Sequence, residues 1–195
     1  YTRRYTLSLH DALPICSLGA RTINRTLTAG LDVIRQNPDI QFIWQTGKIY
    51  IDQVRDAITA ATGEAVHHPH INAIPNLYVT DFIKDMAKAY AAADLVISRA
   101  GAGSISEFCL LHKPVILVPS PNVAEDHQTK NALALVDKDA AIYVKDAEAE
   151  EKLLPAALDT VKDCDKLKEL SNNIARLALP DSATVIAKEV LKLIK

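Results

Sequence analysis

Cysteine is scarce and scattered. Cys16, Cys109 and Cys164 are odd in number, far apart and without a C-x-x-C pair, which excludes a cysteine zinc framework and fits a reducing compartment. Excess charge is missing too: 22 Lys and Arg stand against 24 Asp and Glu, a formal net charge of -2. The chain as a whole has no field to gather nucleic acid or anionic lipid, so any anion it binds is held locally. The apolar runs fall far short of the roughly 18–20 residues that a bilayer span needs. No charged start followed by an apolar run marks a secretory signal. The expectation is a cytoplasmic protein whose membrane association, where it has any, is peripheral. Internal repeats and low-complexity tracts are absent as well.

What the sequence has is apolar content, 49% over 195 residues, enough to build a large core. After residue 16 that content falls into a regular beat of short β-branched runs and amphipathic stretches, the pattern of a parallel sheet covered by helices on both faces. Ile23, Leu27, Leu31 and Ile34 recur at helical spacing and predict a helix over 19–36, ended before Pro38. Strands are predicted at 40–45, 77–80, 94–98, 115–118 and 141–144, with helices at 49–61, 84–93, 104–112 and 125–136 between them. The stretch 67–75, with two prolines, reads as loop or edge. From about residue 147 the chain reads as helical, with interruptions at Pro155 and at Pro180.

The most informative stretch is SRAGAGSISE, Ser98 to Glu107, at a strand-to-helix junction. In an open parallel sheet ligands bind beyond the carboxyl ends of the strands, where helix N-termini present unpaired amides. Gly101 and Gly103 would let the backbone approach a phosphate and take positive φ, and Ser104 and Ser106 would add hydroxyls. The competing reading is a capping box, with Ser104 as cap and Glu107 reaching back to its amide. A dinucleotide fingerprint fits less well, because the third glycine position holds Ser106 and the unit lies deep in the chain. His67, His68 and His70 stand in a proline-containing loop without acidic or cysteine partners at ligand spacing, and read as a solvated loop. Cys109 reads as core rather than nucleophile. A second loop, 119–128, leads into a helix whose first turn carries His127 and Gln128 toward the same crevice. An ordinary helix start, with Asp126 favourable to the dipole, is the plainer reading.

Ser17 to Arg21 (SLGAR), Phe82 to Met86 (FIKDM), the Arg99 to Glu107 run, and Glu125 to Gln128 (EDHQ) followed by Asn131 and Ala132 stand in an order and spacing that resembles the carboxyl-terminal half of the MurG family of transferases. The resemblance runs from about residue 17 to the end. It implies an α/β Rossmann-like domain, one half of a GT-B glycosyltransferase, that binds UDP-N-acetylglucosamine over residues 17–195. It further implies that Glu107 bonds the ribose hydroxyls, that Ala102, Gly103, Ser104, Ile105 and Ser106 line the UDP site, that the Ile83 main chain reads the uracil edge, that Ser17 meets the diphosphate, and that His127 and Gln128 face the sugar. The implied reaction is inverting transfer to lipid I in peptidoglycan synthesis, on which cell wall, cell shape and division depend, at the cytoplasmic face of the membrane. No cofactor or tightly bound metal is implied. Lipid I and the base that activates it would be met by an amino-terminal half, leaving no catalytic residue in this one.

One stretch departs from that family's pattern. Two glycines normally precede the position of Ser17, where this chain has Ile15 and Cys16, and residues 1–15 do not read as the expected first strand. Residues 1–16 are therefore expected to be a non-native junction. The alternatives carried beside this reading are a half of another GT-B glycosyltransferase and a noncatalytic nucleotide-binding domain.

Overall fold

A computed structural model describes residues 5–10, 20–63, 70–71, 73–121 and 126–193. Among them, seven strands form one sheet: β1 (Tyr5–His10), β2 (Ile40–Gln45), β3 (His70–Ile71), β4 (Leu77–Thr80), β5 (Leu95–Ser98), β6 (Val115–Leu117) and β7 (Ile142–Tyr143), in the order β3-β4-β2-β1-β5-β6-β7. All neighbours pair in parallel except β3, which runs antiparallel to β4 at the edge. Tyr5–His10 lies at the centre, its backbone in register with Ile40 to Trp44 on one side and Leu95 to Ser98 on the other.

Two apolar layers sandwich the sheet. One is built by α1 (Arg21–Ala29), α2 (Leu31–Arg35), α3 (Ile51–Thr62) and α7 (Ala149–Lys162), packed on Phe42, Trp44, Leu95, Ile97 and Ile116. The other is built by α4 (Met86–Ala92), α5 (Ala102–Leu110), α6 (His127–Val136) and α8 (Cys164–Ala175), packed on Val96, Val115 and Leu117. The alternation of Leu95 and Ile97 against Val96 is the period-two side-chain geometry of a strand buried on both faces. The fold class is the one the beat of the sequence predicts. Cys109 is buried in the second layer, as core.

Several boundaries differ from expectation. The first predicted helix is two helices that meet at Gly30 (φ -95°, ψ 13°), a position where a side-chain carbon would overlap Leu154 Cδ1 of α7. Pro155 does not interrupt α7. It and Glu151, whose carbonyl loses its helical partner, face solvent, while Leu153, Leu154, Ala157, Leu158 and Val161 bury the other side and hold the helix. The break comes at Asp163, whose carboxylate accepts from the Asp165 and Lys166 amides (3.0 and 2.9 Å) and caps α8. The last helix, α9 (Ser182–Leu193), has no buried residue, and Val185, Ile186, Val190 and Leu191 are exposed along it. No helix among the described residues is long and apolar enough to cross a membrane.

Candidate functional site

The carboxyl ends of β2, β4, β5 and β6 point the same way, as parallel pairing requires, and the loops beyond them converge. At the end of β5 the chain turns through Arg99 and Ala100 to Gly101, the N-cap of α5. α5 therefore starts at Ala102, two residues before the predicted start, and no side chain caps it. This removes the capping-box reading: Ser104 is the third helical residue and is buried, and Glu107 is the sixth, too far along to reach the cap amide. The glycines are corrected in the same way. Gly101 is extended (φ -69°, ψ 139°) and Gly103 is helical, and the glycines with positive φ among the described residues are Gly47 and Gly63. What the two contribute is bareness, since Ala102 and Gly103 lie exposed over first-turn amides that have no intrahelical acceptor. The Ser106 hydroxyl is turned back onto the Ala102 carbonyl (3.0 Å).

Glu107 is exposed on α5 and accepts at Oε2 from the Tyr90 hydroxyl of α4 (3.0 Å). Burial, and after it the Glu107 charge, push the Tyr90 phenol far above its ordinary range, so it remains a donor. The loop before α4 carries Ile83, whose amide donates to Gln45 Oε1 at the end of β2 (2.8 Å). A base edge read at Ile83 would use its carbonyl or exchange that amide bond. α4 itself is fixed by Asp85, whose Oδ1 accepts from the Lys88 amide (3.1 Å).

Gln128 sits in the first turn of α6 as expected, but as a brace. Its Oε1 accepts from the Ala100 amide (3.3 Å) and the Ser120 amide (2.9 Å), tying the β5 and β6 loops together. Asn131 Nδ2 donates to the Ala100 carbonyl (3.1 Å), so α6 grips that residue from both sides. Among the described residues Gln128 Nε2 makes no hydrogen bond, and exposed His127 stands beside it in the sequence. Arg99 completes the frame: it donates to the Val118 and Pro119 carbonyls (2.9 and 3.2 Å) and pairs with Asp146, which also accepts from Thr22 Oγ1 (3.0 Å). Both partners of that ion pair are largely buried.

The structure thus brings Ala102 to Glu107, His127 and Gln128 to one end of the sheet, with Ile83 in the β4 loop at the same end. Ser17 and the histidines at 67 and 68 lie outside the described residues, and His70 is described only as backbone of β3. Among the described residues no three His, Cys, Asp or Glu side chains are grouped to hold a metal ion. Tyr90, Gln45 and Asp146 belong to none of the quoted motifs, and nothing in the Arg99 to Glu107 run signals the partner that Arg99 finds. A buried glutamine ending a strand was the one available signal; Tyr90 reads as core in a helical stripe.

Comparison with known proteins follows the same outline. Residues 16–186 match the glycosyltransferase family 28 C-terminal domain. The chain is 76% identical over 177 residues to the UDP-N-acetylglucosamine--N-acetylmuramyl-(pentapeptide) pyrophosphoryl-undecaprenol N-acetylglucosamine transferase of Bacteroides fragilis, covering 91% of this chain and 44% of the relative. The protein of that name from Bacteroides thetaiotaomicron is 75% identical over 177 residues, 91% of this chain and 45% of the relative. The crystal structure of Acinetobacter baumannii MurG superposes with a TM-score of 0.76 at 27% identity, over 97% of this chain and 50% of that one. The chain spans less than half the length of the curated relatives it matches here.

Proposed function

The chain belongs to the family of glycosyltransferase family 28 C-terminal domains, and from that premise we propose that it is the donor-binding half of the transferase that moves N-acetylglucosamine from UDP-N-acetylglucosamine to lipid I, giving lipid II in peptidoglycan synthesis. Its sheet and helices are those of the carboxyl-terminal half of a GT-B glycosyltransferase. The observation that carries the donor reading is the pairing of an uncapped, side-chain-poor start of α5 with an exposed, held carboxylate at Glu107. First-turn amides and the helix dipole favour a diphosphate. A carboxylate accepting two hydroxyl bonds suits a neutral ribose diol.

In this reading Ala102, Gly103, Ser104, Ile105 and Ser106 form the floor under the UDP, Ile83 meets the uracil edge, Ser17 the diphosphate, and His127 with Gln128 Nε2 the sugar. As the bond from the anomeric carbon to the departing phosphate oxygen breaks, charge grows on the diphosphate. The α5 amides are already aimed there and need no reorganisation. The acceptor hydroxyl attacks the opposite face, with inversion, and both lipid I and the base that takes its proton are met by an amino-terminal half of the kind the longer relatives have. That assembly works at the cytoplasmic face of the membrane as a peripheral protein.

Residues 1–16 are in this reading a non-native junction, a proposal supported by a family match that takes in Cys16 but nothing before it. The segment Tyr5–His10 then occupies the place of the domain's own central strand.

The test is turnover. The chain alone transfers no N-acetylglucosamine from UDP-N-acetylglucosamine to lipid I, and transfer begins when an amino-terminal half is supplied. Turnover by the chain alone overturns the two-half reading.

A further inference from the structure

Glu107 raises a question that its exposure sharpens. A glutamate on the surface of a helix turns freely about three side-chain bonds, and ordering it for a ligand costs entropy each time the ligand binds. Here that freedom is already curtailed. The Tyr90 ring is buried, 4% exposed, and meets the fully buried Phe108 edge to face, with centroids 6.0 Å apart and planes at 83°. Phe108 is the next residue after Glu107 on α5, so one aromatic contact fixes both the ring that donates and the backbone that carries the acceptor. The ring cannot follow the carboxylate; the carboxylate follows the ring. Its Oε2 accepts the phenol proton, and a carboxylate retains lone pairs on both oxygens for two further donors.

We propose that Tyr90 is a positioning residue whose hydroxyl presets the Glu107 carboxylate for a vicinal diol, so that α4 sets the preference for a ribonucleoside over a 2′-deoxyribonucleoside diphosphate. This rests on the reading of Glu107 as the ribose ligand. α4 also begins just after Ile83, so the element that follows the proposed uracil contact is the element that aims the ribose contact. Base and sugar recognition are thereby tied to one short helix.

The experiment titrates UDP and 2′-deoxy-UDP into the chain, Tyr90→Phe, Glu107→Gln and the double variant, with a thermal melt of each. Tyr90→Phe keeps the ring against Phe108 and removes only the hydroxyl. The expected result is UDP affinity lowered roughly 3- to 10-fold, 2′-deoxy-UDP affinity, with one hydroxyl left for Glu107, lowered less, and an unchanged melting temperature. In the double variant the hydroxyl loss adds nothing to the ratio already lost in Glu107→Gln, because one substitution acts through the other. A ratio that collapses in Glu107→Gln and stays intact in Tyr90→Phe overturns this proposal and leaves the donor site standing. A ratio intact in Glu107→Gln overturns the ribose reading itself. Should Tyr90→Phe melt lower, the double variant decides: additive losses overturn the proposal and non-additive losses support it.

Discussion

The two ends of the sheet use the same device for different purposes. At the amino end, buried Asn76 places its side-chain nitrogen within 3.0 Å of the Ile34, Asn37 and Ile40 carbonyls, and Lys113 donates to the Ala93 carbonyl (2.9 Å). Each polar side chain there ties down main-chain carbonyls; the Ile34 and Asn37 carbonyls also accept from the Asn37 and Ile40 amides (both 3.1 Å), so Asn76 is a second donor to them. At the carboxyl end Gln45, Gln128 and Arg99 also pin main-chain groups, but they pin the walls of a crevice, and the helix start between those walls has no side-chain cap. One end finishes the fold and the other holds loops still around an open helix terminus. Stability and binding should therefore separate by end.

Asn76→Ala should have the largest effect, and on stability alone. Three carbonyls lose a side-chain donor, two of them keeping a main-chain one, and a buried junction of three segments loses its tie, at a cost of about 2–3 kcal/mol. A denaturant titration should show that loss, with UDP affinity of the folded protein unchanged. A fall in affinity matching the fall in stability would show that the ends are not separable.

Gln128→Ala is the intermediate case, since its carbonyl braces two loops of the proposed site. Two amides lose their acceptor, and stability should drop by about 2 kcal/mol. UDP-N-acetylglucosamine affinity should fall more than UDP affinity, because the Nε2 contact goes too. Equal losses for the two ligands in calorimetry would remove Gln128 from the sugar subsite and leave it a brace.

Replacing residues 1–16 with a β-branched strand ending in Gly-Gly sharpens the carboxyl end. Ile15 and Cys16 would crowd the approach of a diphosphate to Ser17, which two glycines would not. Paired melts and UDP titrations should show several-fold tighter binding and a higher melting temperature for the repaired chain. No change in either would mark the segment as native and remove the basis for a Ser17 contact.

The smallest effect is a titration at the amino end. Burial lowers the Lys113 pKa, with Asp94 opposing. Between the lowered folded value and the ordinary lysine value the unfolded chain holds more protons, so stability rises with pH through that alkaline window. Lys113→Met should flatten this rise and leave UDP affinity unchanged; a rise undiminished in the variant would assign it to another group.

Much of the frame was legible because it rests on local rules. IQFIWQ, β-branched and aromatic, is strand β2 from Ile40 to Gln45 as expected, and Gly63, at φ 73°, stops α3 where a left-handed residue was needed. The start of α5 was not legible, because alanine and glycine give no strong entry signal and the tempting Ser104–Glu107 spacing pointed two residues too far. The bonds that shape the site join residues far apart in sequence: Tyr90 to Glu107, Gln128 to Ala100, Arg99 to Asp146. No periodicity announces such pairs, since each is created by the parallel sheet bringing separate helix starts to one end. The choice of Glu107 came from the family resemblance, and the structure supplies the reason it is not merely a cap.

Glu107 serves a ligand and not the fold if a UDP titration of the chain beside Glu107→Gln, each with its thermal melt, separates binding from stability. Because Glu107 caps nothing and stands exposed, UDP affinity should weaken roughly 5- to 150-fold, about 1–3 kcal/mol, with the melting temperature unchanged. Equal UDP affinity in the two proteins, with a lower melting temperature in the variant, would contradict it.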